Sequence, residues 1–281
     1  MAKDIKVLRK RIKSFNSTLH LTGAMGLVAS SKMRKATDAM IEGRKYLKAV
    51  TGVIEDLVKC PECRKCAYFG KDDSSSAPTR VIVIAGDRGL CGGYNAKVFR
   101  LVRDLDDVDV IPIGKRAFDR YSDIDESDDD YIENNVFESS EYYSYESAIK
   151  LANQCVKDFA EGKISRLGIV YNNYVSIMTQ TPEIKWVLPL SRPNEGEVNT
   201  GVFEPEPLAL LEDVVPQYVA GVLYSLVKES FACEVAARRM AMDSAKKNAT
   251  EMIENLQLEY NRVRQGKITQ EITEIVAGAG K

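Results

Sequence analysis

The stretch VIVIAGDRGLCGGYNAKVFRLVRDL, residues 81–105, places an apolar run, a glycine-rich turn and an amphipathic segment in succession. The apolar residues 81–84 are typical of a buried strand, and the segment that follows the turn has helical spacing, with Asn95 as its predicted N-cap. A second apolar run, VDVIPI at residues 108–113, comes next. This order of strand, helix and strand predicts a parallel α/β sheet.

The chain continues this alternation beyond the second strand. YESAIKLANQCVKDFAEG, residues 145–162, predicts a helix that ends at Gly162, and LGIVYNNYVSIMTQTPEIKWVLPL, residues 167–190, predicts two or three strands. The acidic stretch at 122–141 and the segment at 191–201 are predicted to be solvated loops. We therefore expect a small Rossmann-like α/β domain over residues 78–205.

The N-terminal part, residues 1–58, has a different periodicity. Its apolar or small residues recur at spacings of three and four without interruption from Ile5 to Leu57. Because a helix rises about 1.5 Å per residue, such a helix is roughly 80 Å long, more than a compact domain needs. The sequence predicts a long helix that requires a partner along one face.

The C-terminal part, residues 206–281, has the same character. It contains no proline after Pro216, and an apolar stripe of mixed three and four spacing runs from Met242 to Val263. Two long helices at opposite chain ends are predicted to pack as an antiparallel coiled coil. The alternative is two helices folded over a globular body.

The glycine-rich turn GDRGLCGGYN, residues 86–95, raises the question of nucleotide binding. It lacks the Gly-Lys-Ser/Thr end of a P-loop, and Asp87 places a negative charge where a pyrophosphate would lie in a dinucleotide fold. A turn that needs positive φ and close packing of strand on helix explains the glycines better. We predict no nucleotide, no cofactor and no catalytic residue.

The segment between the first helix and the sheet, residues 59–77, contains Cys60, Cys63 and Cys66 at C-x2-C-x2-C spacing. That spacing suits a soft metal, but no fourth cysteine or histidine lies nearby in the sequence. Three reduced thiols in a linker are the simpler interpretation, and no metal is predicted.

Composition excludes several function classes. The net charge of −2 gives no basic surface for nucleic acid, and a single histidine, His20, excludes catalytic centres that need several histidines. No apolar run approaches the roughly 20 residues of a membrane span, and the charged start lacks the features of a secretion signal. These features favour a bacterial cytoplasmic protein.

Three segments together resemble the γ subunit of the F-type ATP synthase: KRIKSFNSTLHLTGAMGLVASSKMRKA (10–36), GDRGLCGGYN (86–95) and EVAARRMAMDSAKKNATEMIENLQLEYNRVRQGKITQEITEIVAGA (234–279). The resemblance covers both chain ends and the start of the middle domain. It implies a non-catalytic central shaft that couples proton or sodium flow to ATP synthesis or hydrolysis. The implied partners are a hexamer of α and β subunits, the ε subunit and the membrane c-ring, at the cytoplasmic face of a bacterial membrane and peripheral to it.

The resemblance also implies residues that contact the β subunit. The matching positions are Met25 on the first helix and, on the last, Glu234, Arg238, Gln265 and Thr269. Two features depart from the family pattern. Glycines stand at positions 23 and 26 beside Met25, where many members carry polar or charged residues. Arg239 replaces an apolar residue, and we expect it to compensate for a missing lysine.

Two other function classes remain open from the sequence. One is an α/β enzyme with helical arms that binds a nucleotide or another small molecule, which measurable ATP affinity would favour. The other is a coiled-coil adaptor unrelated to energy conversion, which self-assembly without α and β subunits would favour.

Overall fold

The computed structural model describes residues 5–70, 77–105, 107–122, 138–192, 201 and 203–279. Most of the predicted acidic loop at 122–141 and most of the predicted loop at 191–201 lie outside these described residues.

Long helices begin and end the described chain, and shorter helices alternate with four strands between them. In chain order the helices and strands are α1 (Ile5–Val58), β1 (Thr79–Ile84), α2 (Tyr94–Arg103), β2 (Val108–Ile113), α3 (Lys115–Tyr121), α4 (Tyr145–Ala160), β3 (Arg166–Tyr174), β4 (Gln180–Leu188) and α5 (Pro207–Ala279). Two short 3-10 helices, Pro61–Lys65 and Ala67–Phe69, follow α1.

The four strands form one sheet in the order β2-β1-β3-β4. β1 pairs in parallel with both β2 and β3, so that Val81 lies opposite Val110 on one side and Gly168 on the other. β4 is antiparallel to β3 at the edge of the sheet. The predicted α/β fold class is confirmed, and the last predicted segment forms two strands.

The chain divides into two compact units, and each long helix contributes to both. The smaller unit consists of Met1–Ser31 and Arg238–Lys281, and the larger unit is Lys32–Ala237. In the smaller unit, Arg9 Nη2 donates to the Tyr260 hydroxyl at 3.0 Å, and Gly26 lies against Met242. These contacts show that α1 and α5 run antiparallel there.

The same antiparallel pairing occurs within the larger unit. The Ser225 hydroxyl donates to the Gly43 carbonyl oxygen at 2.9 Å, and a Cβ on Gly221 would lie 2.6 Å from the Tyr46 ring. Small residues on both helices permit this close approach. We call the row of apolar or small residues at spacings of three and four, from Ile5 to Leu57, the seam. Every seam position is buried or half-buried, as expected for a helix face that packs on a partner.

In the larger unit the paired helices also cover one face of the sheet. Leu57 and Leu223 belong to the same buried cluster as Ile169 and Leu188, which lie on the strands. The two alternatives for the long helices therefore both describe this unit, because the helices pack on each other and on the sheet.

One local prediction is corrected. Asn95 does not cap α2, which begins after Gly93 without a side-chain cap. The Asn95 Oδ1 instead accepts the Gly86 N–H at 2.9 Å and so ties together the two ends of the glycine-rich turn.

The segment after α1 contributes to the core. Cys60 and Cys63 lie there as small apolar side chains.

The sequence predicted no segment apolar enough to span a membrane. Among the described residues, α5 alone reaches the length and mean hydropathy of a membrane-spanning helix. Within its apolar window, 61% is buried inside the protein, as in the core helix of a globular domain.

Candidate functional site

The strand order places a potential ligand crevice at the carboxyl ends of β1 and β3. The chain leaves β1 towards β2 on one side and later returns to β3 on the other, and open α/β sheets bind ligands at such a reversal. Here residues 228–234 of α5 fill the crevice. They accept hydrogen bonds from Arg88, in the turn after β1, and from Asn172 and Tyr174, near the end of β3. We call this packing the crevice contact.

Glu234 fills the side of the crevice next to β1. Its side chain is almost fully buried, at 2% relative exposure. The Arg88 backbone N–H and the Ser140 hydroxyl each lie 3.5 Å from a carboxylate oxygen of Glu234. A Cβ at Gly86 would lie 2.7 Å from the Glu234 carboxyl carbon, so glycine is required there for close packing rather than for positive φ.

Asp87 occupies the position where an anionic ligand would be held. Its carboxylate accepts the backbone N–H groups of Lys115, Ser140 and Glu141 at 3.2, 3.2 and 3.4 Å, and the Ser139 hydroxyl at 2.5 Å. These are the kinds of donor that bind a phosphate in nucleotide-binding loops. The protein's own carboxylate therefore satisfies them.

Next to β3, three of the hydrogen bonds in the crevice join neutral groups. The Asn172 N–H donates to the Ser230 hydroxyl at 3.2 Å, and the Cys233 thiol donates to the Asn172 carbonyl oxygen at 3.2 Å. The Tyr94 hydroxyl donates to the Ser230 carbonyl oxygen at 2.8 Å. Burial raises the pKa of both Tyr94 and Cys233, so these groups stay neutral and serve packing.

The outer surface of the glycine-rich turn has one feature that sequence reasoning missed. Leu90 has φ of +60° and is 62% exposed, although a branched apolar residue rarely adopts this conformation. Gly92 also has φ of +60°, which confirms the predicted need for positive φ in the turn. No sequence signal marks Leu90, because leucine is not a residue that this conformation favours.

A separate cavity of about 420 Å³ lies at the amino edge of the parallel strands, away from the crevice. Ile54, Trp186 and Leu190 give it an apolar wall, and Lys59 and Arg192 also line it.

Comparison with known proteins identifies the chain's family. A family model described as ATP synthase matches residues 4–280. A γ chain of ATP synthase from Ruminococcus albus is 37% identical, over 97% of this chain and 96% of that protein. The chain belongs to the ATP synthase γ-chain family. Another γ chain, from Acetobacterium woodii and named as sodium ion specific, is 34% identical over 99% of each chain.

Solved structures share the fold of this γ-chain family member. A chain from the Euglena gracilis mitochondrial ATP synthase superposes with a TM-score of 0.66 at 18% identity, covering 98% of this chain and 93% of that chain. A central-stalk chain from Tetrahymena thermophila gives a TM-score of 0.54 at 21% identity, covering 80% and 99% of the two chains.

The predicted contact residues of the γ-chain family lie in different environments. Met25 and Arg238 are half-buried in the smaller unit, where Gln265 and Thr269 are exposed. The Thr269 hydroxyl donates to the Gln265 carbonyl oxygen at 3.0 Å, so the two residues share one face of α5. Glu234 instead belongs to the larger unit, where its buried side chain takes part in the crevice contact.

Cys60, Cys63 and Cys66 are free cysteines, and the first two are buried. Over the described ranges, no group of three or more cysteine, histidine or acidic side chains is arranged to hold a metal ion. Burial raises the pKa of the Cys63 thiol to about 11 and also raises those of Cys60 and Cys66.

Proposed function

We propose that the chain is the rotating, non-catalytic central shaft of a rotary ATP synthase. The observation that carries the non-catalytic part is the crevice contact, in which Glu234 and Asp87 occupy the places that a nucleotide and its phosphates would take. Membership of the γ-chain family supports the role of shaft. Rotation couples ion flow through the membrane sector to ATP synthesis at the β subunits.

The proposed partners are three α and three β subunits, the ε subunit and the c-ring. The two relatives described above are γ chains of ATP synthases, and the Euglena structure is titled with F1 and the c-ring. The protein lies at the cytoplasmic face of a bacterial membrane and is peripheral to it. The coupling ion belongs to the membrane sector and is proton or sodium.

Conformational control of the β subunits requires different contacts with each of them, because a partner shifts an equilibrium only through differential binding. Gln265 and Thr269 are suited to direct contact, since both are exposed on α5. Met25 and Arg238 are half-buried and contribute their remaining surface. Glu234 acts indirectly, by fixing the turn that carries Arg88 and Leu90.

The small residues beside Met25 leave space for a partner on α1. A Cβ on Gly23 would meet nothing within 4 Å, whereas a Cβ on Gly26 would contact Met242. Arg239 is half-buried on α5 in the same unit. We propose that Arg239 supplies the cation that lysines provide in other members. Unchanged ATP hydrolysis and unchanged coupling in an assembled Arg239→Met complex would refute this role.

Two measurements on the purified full-length chain test the proposal against its rivals. Equilibrium dialysis should detect no ATP binding, whereas stoichiometric binding would favour an enzyme. Gel filtration with cognate α and β subunits should give one copy of this chain per three αβ pairs. Self-association that leaves α and β unbound would instead favour a coiled-coil adaptor.

A further inference from the structure

The carboxyl end of β3 is held by an ion pair that takes one residue from each long helix. Arg44 lies on α1 and Glu229 on α5. Arg44 Nη2 lies 2.6 Å from Glu229 Oε1, and Arg44 Nε lies 3.1 Å from Glu229 Oε2. Two parallel charge-assisted hydrogen bonds of this kind fix orientation as well as distance.

Both members of the pair also bind the backbone of Tyr174, the last residue of β3. The Tyr174 N–H donates to Glu229 Oε1 at 2.9 Å, and the Tyr174 carbonyl oxygen accepts from Arg44 Nη2 at 2.8 Å. The Glu229 side chain is only 6% exposed, and that of Arg44 is 43% exposed. One residue of the sheet is therefore fastened to α1 and α5 together.

This ion pair lies at the edge of the sheet opposite to the covalent connections with the long helices. α1 is joined covalently to the start of β1, and the end of β4 leads to α5. Because Leu188 of β4 lies opposite Leu167 of β3, both covalent connections leave from the amino edge of the parallel strands. Tyr174 lies at the opposite edge, where it pairs with Gln180. The crevice contact and this ion pair together hold that edge, and the ion pair is a part of the hold to which α1 contributes.

The helices approach each other closely beside the pair. Gly43, the residue before Arg44, lies with its Cα near Ser225, one turn from Glu229 on α5. The ion pair Lys45–Glu42 lies beside Arg44 but connects two residues of the same helix, α1. Its side chains are 68% and 73% exposed. That pair joins no two elements and provides a matched control.

We propose that Arg44 and Glu229 are positioning residues that fix the carboxyl end of β3 against both helices, so that the sheet passes rotation to its membrane partner from a fixed position. This inference rests on the proposed function, since only a rotating shaft must transmit torque between its two ends. In ATP-driven operation the β subunits turn the helices, and the sheet carries that rotation towards the c-ring. A sheet whose edge moves against the helices holds its contact with the c-ring less firmly, so the c-ring does not follow every step and fewer ions cross the membrane per ATP.

The test uses the complete ATP synthase in sealed vesicles, with ion uptake and ATP hydrolysis measured in the same sample. In Arg44→Met/Glu229→Met the ion pair is replaced by apolar side chains of similar length, a change that often preserves stability, and the Tyr174 backbone loses both of these partners. We expect hydrolysis at a rate close to that of the unaltered complex and a loss in ions transported per ATP. Full transport per ATP in this variant would overturn the proposal.

Two further variants keep the test decisive. Arg44→Lys retains the charge, but one ammonium group cannot reach both carboxylate oxygens and the Tyr174 carbonyl in fork geometry. We expect a smaller loss of transport per ATP, and full transport would count against the inference even if the double variant failed to assemble. Lys45→Ala should leave the ratio unchanged, and an equal loss there would mean that any charge change on α1 suffices.

Ion pumping by the unaltered complex distinguishes failure of the proposed function from failure of the positioning role alone. Failure of the unaltered complex to pump ions would overturn the proposed function, and the positioning role with it. Normal pumping by the unaltered complex together with normal pumping by the double variant would overturn the positioning role alone.

Discussion

Replacing Gly86 by alanine perturbs the crevice contact at its tightest point. The added Cβ would lie 2.7 Å from the Glu234 carboxyl carbon and 2.9 Å from its Oε1. Cβ atoms essentially never approach other atoms this closely, so Glu234 must move. It is buried and lies within reach of the Arg88 N–H and the Ser140 hydroxyl, so the movement also weakens those interactions.

The expected cost follows from overpacking in a rigid interior. Inserting a methyl group into a well-packed site costs about 1–3 kcal/mol. For a unit the size of residues 32–237, each kcal/mol lowers the unfolding midpoint by about 2–4 °C. Gly52→Ala is the control, because a Cβ on Gly52 meets nothing within 4 Å. That substitution on helix α1 should stabilise the chain by up to about 1 kcal/mol.

Thermal and urea denaturation of the full-length variants measure both effects. A double-mutant cycle identifies the cause, because Glu234→Ala removes the atoms that the new methyl group would meet. We expect Gly86→Ala to cost at least about 1 kcal/mol less in the Glu234→Ala background than in the original chain. Additive costs within about 0.5 kcal/mol would refute the steric argument.

Three further predictions concern other sites. Gly23→Ala should raise the unfolding midpoint, because a helical alanine is favoured by about 1 kcal/mol and its Cβ meets nothing; a lower midpoint in calorimetry would contradict this. Asp87→Asn should destabilise the chain by about 1–3 kcal/mol in urea titrations without creating ATP binding, since an amide accepts fewer of the converging N–H groups. For Cys63, burial raises the pKa from 9.0 to about 11. The stability contributed by the neutral buried thiol is therefore complete below pH 9 and is lost as the pH rises through 11. A Cys63→Ala variant should therefore lose less stability over that range, and an identical profile would contradict the assignment.

The periodic parts of the chain were predictable from sequence because burial along one helix face leaves a repeating pattern. The seam from Ile5 to Leu57 predicted α1, and the apolar runs at 81–84 and 108–113 predicted β1 and β2. The missing P-loop lysine and the charge of Asp87 argued against a nucleotide site, although the sequence could not show what Asp87 binds. Its partners Lys115 and Ser140 are distant in the chain.

The crevice contact itself was not predictable. Glu234 stands among small and apolar residues of a long helix, a pattern that does not show what its carboxylate meets, and the packing of α5 on the sheet buries it against Gly86. Asn95 was assigned to the wrong partner, since the Gly86 N–H competes successfully for its side-chain oxygen. Arg44 and Glu229 are 185 positions apart, and no local pattern relates residues at that separation.

The central claim, that this chain is a rotating shaft, is tested most directly by single-molecule observation of an assembled α and β hexamer. The hexamer is anchored to a surface through its β subunits, and a probe is attached through a cysteine introduced at exposed Lys97 on α2 of this chain. Addition of ATP should produce stepwise rotation of the probe in one direction, at a rate that follows ATP turnover. Sustained ATP hydrolysis with a stationary or randomly fluctuating probe would contradict the account.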